Sequence, residues 1–228
     1  FYLDFEDTSS VAALGTDSSG NSNTWTVNNV SLTAGVTYDA MTDVPTLTDA
    51  DTANYATLNP IAKSPAPLGT LTDGNLNYSA GASGSYSRAL GTISVSSGKW
   101  YWETTVTSAN RLQICIITIN DYTLYYPGYS PNGYGYDQTT GNKVNNNSFV
   151  SYGATFTTND IIGVALDLDS GTLTFYKNNV SQGTAFTGLS GNFIPTVGNG
   201  SSSASCSGVL NFGQRPFAYT PPAGYLKL

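Results

Sequence analysis

The residues best suited to chemistry lie in one stretch, 120–136, which reads NDYTLYYPGYSPNGYGY. It sets Tyr122, Tyr125, Tyr126, Tyr129, Tyr134 and Tyr136 among proline, glycine and asparagine, with Asp121 and Asn132 as polar neighbours. Tyrosine presents a rigid amphipathic ring that loses little conformational entropy when a partner covers it. Sugar C–H faces stack on such rings, and sugar hydroxyls suit Asn and Asp side chains. These eight residues form the candidate ligand-binding set. Taken singly, each tyrosine is more simply a partly buried cap on a sheet edge. Taken together, at least one is expected to touch a ligand or another chain.

Other chemistry is poorly supplied. The chain has no histidine, which removes the commonest general base and the commonest transition-metal ligand. Glycoside hydrolysis needs only two flanking carboxylates, but the glutamates are just Glu6 and Glu103. Asp167 and Asp169 share a strand face and could point together at calcium; a solvated face ending in a turn is the simpler reading. Residues 17–23, DSSGNSN, lack the spaced carboxylates of a calcium loop and read as a turn held by its own side chains. No glycine-rich phosphate cradle opens a helix. The expectation is a non-catalytic chain without a metal or cofactor.

These residues must be positioned by β-structure. In residues 161–179, IIGVALDLDSGTLTFYKNN, Ile162, Val164, Leu166 and Leu168 alternate with Ala165, Asp167 and Asp169. That period of two predicts a strand with one buried and one wet face. Asp169-Ser170-Gly171 supplies a turn, 172–177 a returning strand, and Asn178-Asn179 a second tight turn. Further strands are expected at 1–5, 25–27, 88–95, 99–107, 112–120, 183–186, 192–197 and 209–212, with a hairpin around Asp73-Gly74-Asn75. Residues 112–120 are apolar on both parities and belong in the middle of a sheet. Trp100 and Trp102 share parity with Val106 and are expected to face the core. No window has helical periodicity.

Composition narrows the partners. Only 10% of the 228 residues are charged, against about a quarter in ordinary domains. The formal charge is −7 and the eight Lys and Arg residues are scattered singly, which argues against nucleic acid, since phosphate binding needs them clustered. No apolar run approaches the ~20 residues of a membrane-spanning helix. Cys115 and Cys206, the only cysteines, make no disulfide framework and are expected as free thiols. Residues 42–67 carry four prolines and read as an extended connector across the surface. A chain starting at Phe1 is expected to be a piece of something longer.

Four motifs carry a resemblance: KWYWE at 99–103, DIIGVALDLD at 160–169, TLTFYKNN at 172–179 and VLNFGQRPF at 209–217. In this order they closely resemble the SPRY domain over residues 70–225. The resemblance implies a concanavalin A-like antiparallel β-sandwich used for binding, with Glu103 in a structural strand position and peptide ligands among those to expect. Asn179 stands where that family usually has glycine, at a small cost in turn stability. The segments FYLDF…LGTDSSGNSNTWTVNN and MTDVPTLTDADTANYATLNP resemble the end of a laminin-G-like module and its connector, and the whole arrangement resembles tail-fibre proteins of marine bacteriophages.

The resulting expectation is an all-β chain, with residues 1–67 forming the end of a preceding β-module plus an extended connector, and 68–228 a SPRY-like sandwich. The phage resemblance implies a virion component on an extracellular surface: a tail-fibre or receptor-binding subunit, homo-oligomeric and as a guess trimeric. Its partners would be a host-surface glycan or protein receptor and other virion subunits, with no nucleic acid and no membrane insertion. The alternatives are a structural fibre or capsid-decoration subunit, and a bacterial surface adhesin.

Overall fold

The computed structural model describes residues 1–35, 37–41, 53–62, 69–121 and 125–228. Strands follow one another as β1 (Thr70–Thr72), β2 (Asn77–Ala80), β3 (Arg88–Leu90), β4 (Lys99–Ser108), β5 (Leu112–Thr118), β6 (Gly133–Asp137) and β7 (Asn142–Asn145). They continue as β8 (Ser148–Ser151), β9 (Ile161–Asp167), β10 (Thr172–Lys177), β11 (Val180–Phe186), β12 (Phe193–Asn199), β13 (Cys206–Asn211) and β14 (Leu226–Lys227). One sheet runs β1-β2-β13-β4-β9-β10-β11, and the other β3-β12-β5-β6-β7-β8. Neighbours on these paths pair antiparallel; β14 alone pairs parallel, beside the start of β4 at Trp100 and Tyr101. The one helical feature among the described residues is a 3-10 turn at Ala13–Gly15. The fold is the all-β sandwich expected.

The inner faces meet in a single core. Trp102, Val106, Val164, Leu166 and Phe175 come from the larger sheet, and Ile114, Ile116, Tyr136, Phe193 and Val197 from the smaller. Period-two alternation puts them there, because successive side chains leave opposite faces of a strand. Trp102 is fully buried, while Trp100 lies half-buried at the margin of that core. Cys115 and Cys206 are free and buried.

The turns obey the asparagine and glycine chemistry. Asp73, Gly74 and Asn75 all take positive φ between β1 and β2, and Asn178 (φ 47°) and Asn179 (φ 67°) join β10 to β11. Both residues of a two-residue hairpin turn with positive φ match the right-handed twist of the strands they connect.

Five expectations need correction. β9 has no wet face: Ala165 and Asp167 are as buried as their neighbours. The tail returns over that outer face, with Phe217 edge-on to Tyr101 at 5.1 Å and the Glu103 carboxylate accepting the N–H groups of Ala218 and Tyr219 at 2.8 and 3.0 Å. The strand expected over 88–95 stops at Leu90 and continues only as isolated bridges at Gly91 and Val95, because Pro195 on the facing β12 has no N–H to donate. Residues 1–5 and 25–27 form no strand. A strand needs a ladder, and instead Asp17 gathers the N–H groups of Tyr2, Ser19 and Asn23, each at 2.9 Å. Finally, residues 53–62 do not lie across the surface: Tyr55, Ala56 and Leu58 are in the core, and the Leu58 N–H donates to the Asn75 carbonyl at 2.9 Å. The prolines at 45, 65 and 67 fall outside the described residues.

Candidate functional site

β5 is buried on both faces, as expected for a central strand. Its inner face meets the core, and its outer face lies under the tyrosine stretch. That stretch leaves β5, crosses the outer face and re-enters the sheet as β6. A Cβ at Gly198 would lie 2.8 Å from the Pro127 ring, and one at Gly128 2.7 Å from Val144. Backbone this close to a sheet tolerates only glycine, which is why the stretch alternates glycine with large rings.

The loop is anchored by a buried ion pair. Asp121 and Arg88 are both buried, with the carboxylate 3.5 Å from the guanidinium, and Arg88 also donates to the Asp121 carbonyl at 2.9 Å. Burial pulls the Arg88 guanidinium below its ordinary pKa, and the adjacent Asp121 charge opposes that shift. Ser130, further along the loop, donates to Asp121 at 3.0 Å. One carboxylate thus ties two points of the loop to β3.

On that base stands a cluster of rings. Tyr125 stacks on Tyr129 with centroids 4.1 Å apart. Tyr126 meets Tyr129 edge-on at 5.5 Å, and Tyr86 packs edge-on against both Tyr125 and Tyr126. Tyr125 is 44% exposed and Tyr126 only 6%, while Tyr86 and Tyr129 are half-buried. Burial, with Tyr86 and Tyr129 beside it, pushes the Tyr126 phenol up, so it stays protonated and donates to Asn147. The upper rings are partly exposed and the lower one is a fixed support.

The candidate set therefore divides. Tyr125, Tyr126 and Tyr129 come together, and Asn132 is exposed on the same loop. Asp121 is the buried anchor. Tyr134 and Tyr136 lie on β6 facing the core: Tyr134 packs on Phe186 and Phe193, and Tyr136 is enclosed by Tyr152, Phe156 and Phe175. Their spacing of two on a strand carried that signal. Tyr122 lies outside the described residues. Sequence reasoning missed Tyr86, since only the pairing of β3 with β12 brings its segment to the loop.

The remaining carboxylates are committed to structure. Glu103 is buried, and its pKa is pushed up by that burial against donors from Ala218, Tyr219 and Tyr101. Burial raises Asp167 as well, but the Ser170 N–H and Lys99 at 3.0 Å outweigh it and hold the carboxyl below its usual value. Among the described residues, no three acidic, cysteine or histidine side chains converge as a metal site would require. Cavities of about 700 and 270 Å³ lie elsewhere, one in the N-terminal segment and one beside Trp100 and Leu226. Neither cavity is lined by Tyr86, Tyr125, Tyr126 or Tyr129.

Comparison with known proteins agrees with the architecture. The family model of the SPRY domain matches residues 99–215, a little over half of the chain. Ran-binding protein 10 of Danio rerio is 33% identical over 138 residues, covering 58% of this chain and 22% of that protein. Ran-binding protein 9 of Homo sapiens is likewise 33% identical over 138 residues, covering 58% of this chain and 18% of its own length. The chain thus spans about a fifth of the length of these curated relatives. The crystal structure of the SPRY domain of human HERC1 superposes with a TM-score of 0.55 at 20% identity, covering 61% of this chain and 90% of that one.

These relatives overturn the phage reading. They are vertebrate proteins, so the tail-fibre, virion and capsid-decoration roles and the adhesin alternative are withdrawn, and with them the virion location. The host-glycan partner, the neighbouring virion subunits and the homo-oligomeric fibre fall for the same reason. They rested on a likeness in surface composition and connector motifs. A neutral Ser/Thr/Asn surface carries no lineage, whereas the four motifs encode the sandwich itself.

Proposed function

Because the chain belongs to the SPRY family, we propose that it is a non-catalytic protein-interaction module whose contact surface is built on Tyr86, Tyr125, Tyr126 and Tyr129. The observation that carries this reading is the preorganised ring cluster: two partly accessible stacked tyrosines held over a buried ion pair. Rigid aromatic anchors at the centre of a contact dominate binding energy, and rings already ordered before binding lose little entropy on contact. Asn132 belongs to the rim of this surface, and Asp121 positions the loop without touching the partner. Partly exposed tyrosines clustered in this way suit a protein or peptide partner, since aromatic side chains are enriched at the cores of protein contacts. The same reading keeps a SPRY-like sandwich over residues 68–228, with the residues before it as a preceding element that lends Tyr55, Ala56 and Leu58 to the core.

The test is selection of binding peptides from a displayed library, alongside a direct assay with Ran, the partner in the names of the similar proteins. Binders are expected to lose about thirtyfold or more in affinity to a Tyr125→Ser/Tyr129→Ser variant, the loss of one good hot spot. Circular dichroism should show the variant still folded. Affinity unchanged in that variant would sink the assignment of the site. Failure of both the library and Ran to bind would sink the interaction reading.

A further inference from the structure

The net charge of the chain is not spread over it. Eight of the fifteen acidic residues and none of the eight basic ones lie in the first 62 positions, leaving the rest slightly positive. The described part of this segment is ordered by its own bonds. Asp17 binds three backbone N–H groups, and Ser31 and Asp39 bond to each other through both main chain and carboxylate. Arg215 fastens the segment to the sandwich by donating to the Tyr38 carbonyl at 3.0 Å while holding Asp73.

Between these fixed points lies the cavity of about 700 Å³. Its apolar lining comes from Phe5, Leu14, Val30 and Met41, and Asp4, Glu6 and Asp39 also line it. Phe5 is 61% exposed and Met41 41%, with Phe1 and Tyr2 exposed nearby in sequence and Trp25 exposed against the Phe1 ring. Apolar surface left open in this way marks a contact, and the charge determines what kind. Carboxylates repel phosphate backbones and anionic lipid surfaces and attract Lys and Arg, whose cations also favour aromatic faces.

We infer that this groove docks a basic amphipathic segment of a partner protein, with apolar side chains on Phe5, Leu14, Val30 and Met41 and Lys or Arg side chains on Asp4, Glu6 and Asp39. It is a second contact surface, independent of the tyrosine cluster.

The experiment is titration calorimetry of the whole chain with a short peptide alternating Arg and Leu, and with the same peptide carrying Glu for Arg. The Arg peptide is expected to bind, to weaken as salt is added, and to lose about fivefold or more on Glu6→Gln with Asp39→Asn. The Asn side chain keeps an acceptor for Ser31, so the segment stays folded. A Met41→Glu variant, which puts charge into the apolar lining, is expected to lose the apolar part of the contact and bind still more weakly. Tyr125→Ser/Tyr129→Ser is expected to leave this binding unchanged, which separates it from the site proposed above. Equal binding of the two peptides, no binding of either, or unchanged binding in the amide variant would overturn the inference. So would sedimentation showing a dimer that is lost with Met41→Glu, since a second copy would then be the occupant.

Discussion

At the scale of single residues, the outer face of the larger sheet shows how little room the tail leaves. Gly163 lies beneath Tyr101, and a Cβ there would come within 2.4 Å of the Tyr101 hydroxyl and 2.9 Å of its ring. Tyr101 cannot swing away, because Phe217 closes one side and the hydroxyl donates to Glu103. Gly163→Ala is therefore expected to cost about 2 kcal/mol, read as a lower urea midpoint with unchanged m-value. Glu103 gives a pH signature. Its pKa in the folded chain is raised above the ordinary 4.5, so above pH 4.5 the folded state binds more protons than the unfolded state. Stability then falls as pH rises through that window and is greatest, in this contribution, below it. Melting temperatures of Glu103→Gln should be lower overall, with that downward slope flattened; an identical slope would locate the titration elsewhere.

At the scale of elements, the β10–β11 turn tests the asparagine chemistry. Asn178 does two jobs beyond taking positive φ: its carbonyl accepts the Ile161 N–H at 2.9 Å and its amide donates to Asp160 at 2.7 Å. Asn179 has no side-chain bond among those described and stands at φ 67°. Asn179→Gly is expected to stabilise the chain by about 0.5 kcal/mol, while Asn178→Gly is expected to destabilise it by about 1 kcal/mol for the lost bonds. Thermal unfolding of the two variants side by side decides this, and a gain in both would mean that backbone freedom alone governs the turn. The loop from β5 to β6 follows another logic. Its glycines and Pro127 hold it against the sheet, and the Arg88–Asp121 pair fixes where it lies, so the tyrosines are displayed on a scaffold with two kinds of restraint.

At the scale of the whole molecule, two segments outside the sheet order complete the sandwich. Residues 53–62 fill the core with Tyr55, Ala56 and Leu58, and the tail crosses the outer face to bury Leu228 and bond it to Ala56 at 2.9 Å. Ending the chain after residue 216 is expected to expose Tyr101 and Glu103 and remove several kcal/mol of burial. The prediction is loss of a cooperative unfolding transition, measured by near-ultraviolet circular dichroism on heating. By itself the sequence determined the all-β class, strands β4, β5 and β9 to β13, the central position of β5, the turns at 73–75 and 178–179, and the free cysteines, but not β6, β7 and β8. Those features follow from local periodicity and from backbone preferences of single residues. Tertiary structure alone decided which tyrosines face outward, because Tyr86 reaches the cluster through pairing with a strand more than a hundred residues later. It alone decided that β9 has no wet face, that Asp121 is an anchor and that residues 1–5 are not a strand. Each of those depends on what covers or pairs with the residue, and a one-dimensional pattern does not contain its distant neighbours.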